Sequence, residues 1–227
     1  MINIEHTEVA GWEAAIRGMR NPMNSWDKSD SFFGCGSSNT HPTCGELCAN
    51  SCEWIVGPND LDLMQRLVKA GSDHSKFMRM LTVYCDITAP LYWWKEYDTY
   101  KVGTVANSCS TMHKIHDKEF TRDDFSWEQL FEDDRGVHSF YLNTLDLVIG
   151  SLNDARTQYL RTKDKRYWWQ MIQLLPTSYN QKRTVEVNYA VLRNMYHARK
   201  NHKLDEWRTF CEWVETLPYS KGLITCE

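Results

Sequence analysis

From Glu96 to His113 the chain reads "EYDTYKVGTVANSCSTMH", which crowds Thr99, Thr104, Asn107, Ser108, Cys109, Ser110 and Thr111 into one short stretch with Lys101 as its cation. The stretch is too polar for a core strand, and too poor in Gly and Pro to read simply as a surface loop. Hydroxyl and amide groups both donate and accept hydrogen bonds, so this density suits a polar ligand outside the chain.

A second constellation lies at 180–201, which the spacing reads as a helix. Val185, Asn188, Leu192, Met195 and Arg199 recur at intervals of three and four and so share one face. Asn188 and Arg199 would then stand about 16 Å apart along the axis. An apolar stripe with an amide at one end and a phosphate-matching guanidinium at the other can lie along an extended ligand. The other reading is a core stripe that ends in a snorkelling Arg199. On the first reading, replacing Arg199 weakens binding and leaves stability nearly unchanged.

Charge is unevenly placed. Residues 161–203 hold ten Lys and Arg against Asp164 and Glu186, a balance of +8 in a chain of net charge −4, which leaves −12 elsewhere. Such a segment points to a phosphate-bearing ligand more than to bulk nucleic acid, or else to a solvated basic helix face. "YWW" occurs at 92–94 and 167–169 among ten Trp, and such rings stack on a nucleobase or, for most of them, pack a core or a subunit interface. His113 and His116 lie three apart, but no third ligand is spaced to join them, so no metal site is assigned. Cys35, Cys44, Cys48 and Cys52, with His41 between them, are spaced C-x8-C-x3-C-x3-C. That pattern matches no common zinc knuckle; reduced cysteines on a loop dispensable for the fold are expected, with a structural zinc as the alternative. The phosphate-loop, GxGxxG, HExxH and GxSxG patterns are absent.

Composition fits one globular domain spanning 1–227, with a Cys-rich inserted loop at about 32–54. No apolar run is long enough to cross a bilayer, and the N-terminus lacks a signal pattern, so a cytoplasmic location is expected. The elements needed to position the polar residues can be read along the chain. A strand at 1–5 precedes a helix at 9–20. A helix covers 59–71, capped by Asn59 or Asp60, with Leu61, Met64, Leu67 and Val68 inward and Gly71 closing it. A half-buried strand covers 81–88, and Pro90 opens a helix to Tyr97. A long helix at 138–161 turns Leu142, Leu145, Ile149, Leu152 and Tyr159 inward, and helices follow at 164–174, 180–201 and 204–217. The class is α+β or mixed α/β.

In this order the segments "DHSKF…ITAPLYWWKEYDTYKVGTVANSCSTM" and "LLPTSYNQKRTVEVNYAVLRNMYHAR" resemble the flavin-dependent thymidylate synthase (ThyX) family, across roughly 59–217. That family's signature is R-H-R-x-x-S-x-N-E-x-S-x-R-Y. By this resemblance Asn188 and Asn194 fall on flavin-contacting positions, His74 on the His ahead of the strand, and Arg199 on the substrate-orienting Arg. Thr99, Tyr100 and Lys101 stand in place of Arg-His-Arg, Thr104 in place of Ser, Asn107 of Glu, Cys109 of the second Ser, Thr111 of the last Arg, and Glu96 of a substrate-contacting Gln.

The resemblance implies a helix-rich protomer around a small mixed sheet, a homotetramer with sites between subunits, and a bacterial or phage setting. It also implies a nucleotide as the small-molecule partner. Arg199, Lys101, Thr104, Asn107, Ser110, Glu96, Ser178, Tyr179 and Arg183 are the nucleotide-binding candidates. His74, Asn188 and Asn194 are the cofactor-binding candidates, with FAD expected to bind weakly or not at all; no catalytic residue is assigned. The function expected is a ThyX-like nucleotide binder with lost or altered thymidylate synthesis that holds or sequesters its nucleotide. The alternatives are a working flavoenzyme passing a one-carbon unit to a pyrimidine nucleotide such as dUMP, and a structural or protein-binding module.

Overall fold

The computed structural model describes residues 1–35, 52–130 and 140–227. In chain order the elements are β1 (Asn3–Ala10), α1 (Trp12–Arg20), β2 (Phe32–Cys35), β3 (Cys52–Ile55), α2 (Pro58–Lys69), β4 (Thr82–Pro90) and α3 (Leu91–Tyr97). They continue with β5 (Thr104–Ser108), α4 (Thr111–Lys114), α5 (Phe140–Thr162), α6 (Lys165–Leu174), β6 (Asn180–Asn188), α7 (Tyr189–Arg199), α8 (Asp205–Thr216) and α9 (Ser220–Leu223).

The main sheet has the order β1-β4-β6-β5. All its neighbours pair antiparallel, where a mixed sheet was expected. β4 sits at its centre because its alternation is strong: Val83, Cys85, Ile87 and Ala89 are buried while Tyr84 on the other face is exposed. Opposite Val83 and Cys85 stand Val187 and Val185 of β6, so the same face continues across the sheet. Beneath it Trp93, Trp94 and Tyr97 of α3 meet Trp207 and Phe210 of α8, with Trp93 and Trp207 ring centroids 4.8 Å apart. Burying a large apolar side chain fully stabilises by about 1.5–3 kcal/mol, so this aromatic cluster anchors α3, and with it the polar stretch that follows. Trp93 and Trp94 of the first "YWW" are therefore core, with Tyr92 half-buried at its edge; in the second, Trp169 is exposed. A separate cluster joins α5 and α6 to Ile115, Phe120 and Phe125, with Leu145 and Leu152 inward as the periodicity predicts.

The expected helix over 180–201 is not one element. Residues 180–188 form β6, and only Tyr189–Arg199 is helical. Thr184, Val185, Glu186 and Val187 alternate outward and inward, and β-branched residues at period two fit a pleated strand between two partners better than a helix. The interval from Val185 to Leu192 therefore crosses an element boundary, and the stripe it suggested does not exist.

A buried ion pair ties α1 to α2. Asp60 is fully buried and accepts hydrogen bonds from Arg20 Nε (2.6 Å), Ser29 Oγ (2.7 Å) and Ser31 Oγ (2.6 Å). Burial by itself would raise its carboxyl pKa, but the bonds from Ser31, Ser29 and Arg20 prevail and hold it below the ordinary value. Asp60 is thus unavailable as a cap. Asp30 takes that place instead, accepting from the backbone N–H groups of Asn59 (2.9 Å) and Asp60 (3.0 Å). Gly71, with φ of 105°, follows the helix end as expected.

The Cys-rich stretch enters and leaves through a two-stranded ribbon, β2 paired with β3 from Phe32↔Ile55 to Cys35↔Cys52. His41, Cys44 and Cys48, and with them the question of zinc, lie outside the described residues. Among the described residues no three His, Cys, Asp or Glu side chains converge as metal ligands, and no helix is long and apolar enough to cross a membrane.

Candidate functional site

The polar stretch leaves α3, turns through 98–103 and returns as edge strand β5. The turn depends on Gly103, whose φ is 78°. A Cβ there would stand 2.7 Å from Asn188 Nδ2 and 3.0 Å from Val191 Cγ2. Asn188 closes the turn from the other side. Its Oδ1 accepts the Val191 backbone N–H (3.0 Å), capping α7, and its Nδ2 donates to the Gly103 carbonyl (3.4 Å). Both ends of this amide are committed within the fold.

Arg199, at the end of α7, meets Glu96 of α3. Its Nη1 donates to Glu96 Oε2 (2.7 Å) and its Nε to the Tyr100 hydroxyl (3.0 Å). Its guanidinium carbon lies 4.8 Å from the Trp207 ring centroid, close enough for a cation–π contact. Glu96 Oε2 also accepts from Trp207 Nε1 (3.0 Å) and lies 3.4 Å from His202 Nε2. The Arg199 side chain is 19% exposed and that of Glu96 33%, and Nη2 of Arg199 has no partner among the described residues. Arg199 is therefore held by contacts within the fold, which runs against the expectation that its loss would leave stability nearly unchanged. Trp207 and His202 belong to this network and were missed by the sequence reading. The spacing of Arg199 and His202, three apart at a helix end, was the available signal.

The remaining candidates separate. Arg183 donates to Asp98 Oδ1 (2.7 Å) and Gln181 Oε1 (3.0 Å), with its guanidinium carbon 4.1 Å from the Trp94 ring centroid. Lys101 and Thr104 line a cleft of about 380 Å³ beside Tyr97. Asn107 is exposed on the outer face of β5, paired with Thr184. Ser110 caps α4 by accepting the His113 N–H (3.0 Å). Ser110 and Tyr179 line a second cleft, of about 360 Å³, with Lys114, Lys118 and Lys182. Those three lysines pair with Asp117, Asp124 and Asp86 respectively. Ser178 belongs to a third cleft, of about 840 Å³, whose wall includes Tyr92 and Glu206, joined by a hydrogen bond. Of the cofactor candidates, His74 is exposed in the turn before the 3-10 segment Lys76–Arg79, which packs on α7, and Asn194 is exposed on α7 itself. The fold thus brings together Glu96, Tyr100 and Arg199, and does not gather all the candidates into one pocket.

No protein-family model matches the chain, and no curated protein matches it in sequence. Solved structures do match over nearly the whole length. Two are the flavin-dependent thymidylate synthase ThyX of Helicobacter pylori complexed with FAD and dUMP, each 15% identical with a TM-score of 0.65, covering 98% and 99% of this chain and 98% of theirs. A third is the UMP/dUMP methylase PolB from Streptomyces cacaoi bound with 5-Br dUMP, 13% identical with a TM-score of 0.57, covering 99% of this chain and 95% of that one. The helix-rich chain on a small antiparallel sheet has a divergent fold of the flavin-dependent thymidylate synthase kind.

Proposed function

We propose that the protein binds a pyrimidine nucleotide against the 96–111 segment and α7, and that it holds this ligand rather than methylating it. Arg199 carries the reading. It is anchored by Glu96 and Tyr100 and sits over Trp207, while Nη2 remains open. A guanidinium neutralised by an adjacent carboxylate suits an uncharged acceptor, such as a carbonyl on a base edge, better than a dianionic phosphate. Full-length likeness to dUMP-bound structures supports the ligand class.

Thr99 and Tyr100 offer no charge where the resembling family has an arginine and a histidine, and Tyr100 is occupied with Arg199. Asn188, whose amide is committed to α7 and Gly103, does not fit a flavin-contacting role. The apolar surface of α5 and α6, with Phe140, Leu147, Trp169 and Leu174 exposed, supports a homo-oligomer, and a tetramer is the form we propose. The protein would act as a nucleotide-holding protein of the cytoplasm.

Isothermal titration of the purified protein with dUMP and UMP tests the reading, beside an assay for dUMP methylation with added flavin, reductant and one-carbon donor. Binding without turnover and without co-purifying flavin is the expected result. Turnover, or stoichiometric flavin released on denaturation, favours the alternative that the protein is a working flavoenzyme; no binding of either nucleotide refutes both readings.

A further inference from the structure

Two donors and a histidine converge on one carboxylate oxygen. Glu96 Oε2 accepts from Arg199 Nη1 (2.7 Å) and Trp207 Nε1 (3.0 Å), and His202 Nε2 stands 3.4 Å from it. His202 lies in the link from α7 to α8, where its backbone N–H donates to the Arg199 carbonyl (2.9 Å). Its Nδ1 accepts the Leu204 backbone N–H (3.2 Å) at the start of α8. That bond fixes the neutral ring: Nδ1 carries the lone pair, so Nε2 carries the proton and turns it toward Glu96. In this state Arg199 and Glu96 are the full charges at the centre of the network, and they cancel.

A second proton changes the balance. The side chain is 24% exposed, so water reaches it, and an imidazole is the side chain that changes charge near neutral pH. The incoming proton has only Nδ1 to occupy, where it faces the Leu204 N–H and ends that bond. The imidazolium is then a cation beside Glu96 Oε2, which it shares with Arg199. The surroundings do not offset the new charge. Trp207, with its ring centroid 6.3 Å from that of His202, and Tyr100, bonded to Arg199, are uncharged. Lys200 and Lys203 flank the ring in sequence and are exposed, and Asp205 is held by Arg208 and Gln129.

We infer that His202 is a positioning residue that sets the charge of this site: once protonated it draws Glu96 from Arg199, and the protein holds an anionic nucleotide more tightly. The ligand is released as pH rises and the imidazole becomes neutral again. The inference rests on the nucleotide reading above for its ligand, but the change of charge and the loss of the Leu204 bond do not.

Calorimetry and NMR on the full chain between about pH 8 and about pH 5.5 test it. His202→Gln keeps a donor where Nε2 stands but takes up no proton, so its dUMP profile records the titration of the ligand's own phosphate and serves as the baseline. Against that baseline wild type should gain about fivefold in dUMP affinity at the acid end, as for one added charge within about 8 Å under partial screening. Deoxyuridine, which has no anion, should change by less than about twofold. The imidazole resonance missing from the variant belongs to His202, and dUMP should raise its midpoint, because the coupling of proton and nucleotide is reciprocal. Without ligand, the Leu204 amide should follow that same midpoint. Parallel dUMP profiles in wild type and variant, or a midpoint that dUMP leaves in place, overturn the charge-setting role and leave the nucleotide reading standing; the midpoint decides if the variant melts early. A Leu204 amide that follows His202 in a protein that binds no dUMP keeps the switch and overturns the nucleotide as its ligand. A Leu204 amide that does not follow overturns the switch itself.

Discussion

Replacing Arg199 by Ala tests the site and the fold together. The change removes the 2.7 Å ion pair with Glu96, the 3.0 Å bond to Tyr100 and the contact over Trp207. A hydrogen bond to a charged partner contributes about 1.5–3 kcal/mol and a cation–π contact about 0.5–2 kcal/mol. Glu96 is a third exposed, so solvent screens the ion pair and the lower ends of these ranges apply. Glu96 also keeps its bond from Trp207 Nε1, so no uncompensated buried charge is created. A loss of about 2–3 kcal/mol results, which for a chain of this size lowers Tm by roughly 4–12 °C. The open Nη2 supplies a second, separable effect. Its loss should weaken dUMP binding about tenfold, and Arg199→Lys should recover only part of this because it lacks the planar fork. Thermal melts beside calorimetric titration separate the two effects. An unchanged Tm refutes the network as a structural element; a lowered Tm with unchanged dUMP affinity refutes Arg199 as a ligand contact.

Asp60→Asn strands the buried Arg20 guanidinium and should destabilise by about 3–5 kcal/mol, read by urea unfolding; a loss below 1 kcal/mol would contradict the pair's role. Because the folded-state pKa of Asp60 lies below the ordinary 3.8, its contribution is present above that value and is lost as pH falls through the lower one, so acid unfolding followed by circular dichroism should be shallower in Asp60→Asn. Gly103→Ala forces a Cβ against Asn188 at positive φ and should cost about 1–3 kcal/mol while also weakening dUMP binding; a neutral melt would show that the turn is not held as described. Light scattering after size exclusion should report an oligomer, and Leu147→Lys on the exposed face of α5 should reduce it; a monomeric wild type at micromolar concentration would rule out the assembly.

Much of the scaffold was legible in the sequence because it is written in local periodicity. The alternation of 81–88 fixed β4, and the apolar spacing of 59–71 and 138–161 fixed α2 and α5 to within a few residues. The order of these pieces carried the resemblance that the fold bears out. The density of hydroxyl and amide groups at 96–113 singled out the segment, though not its shape.

Tertiary structure decided what periodicity could not. Residues 180–188 can be written as helix or strand by spacing alone, and pairing with both β4 and β5 makes them a strand. Asp60 looks like a helix cap from its position; only the approach of Arg20, forty residues away in the chain, makes it a buried ion-pair partner. Arg199 and Glu96 are separated by more than a hundred residues, and no local rule predicts that one will neutralise the other. The same holds for Tyr97, whose hydroxyl lacks a partner only because of what the core packs around it. The physical reason is common to all four: helix and strand patterns depend on near neighbours, whereas which charges cancel and which donors stay open depends on groups that only folding brings within hydrogen-bond distance.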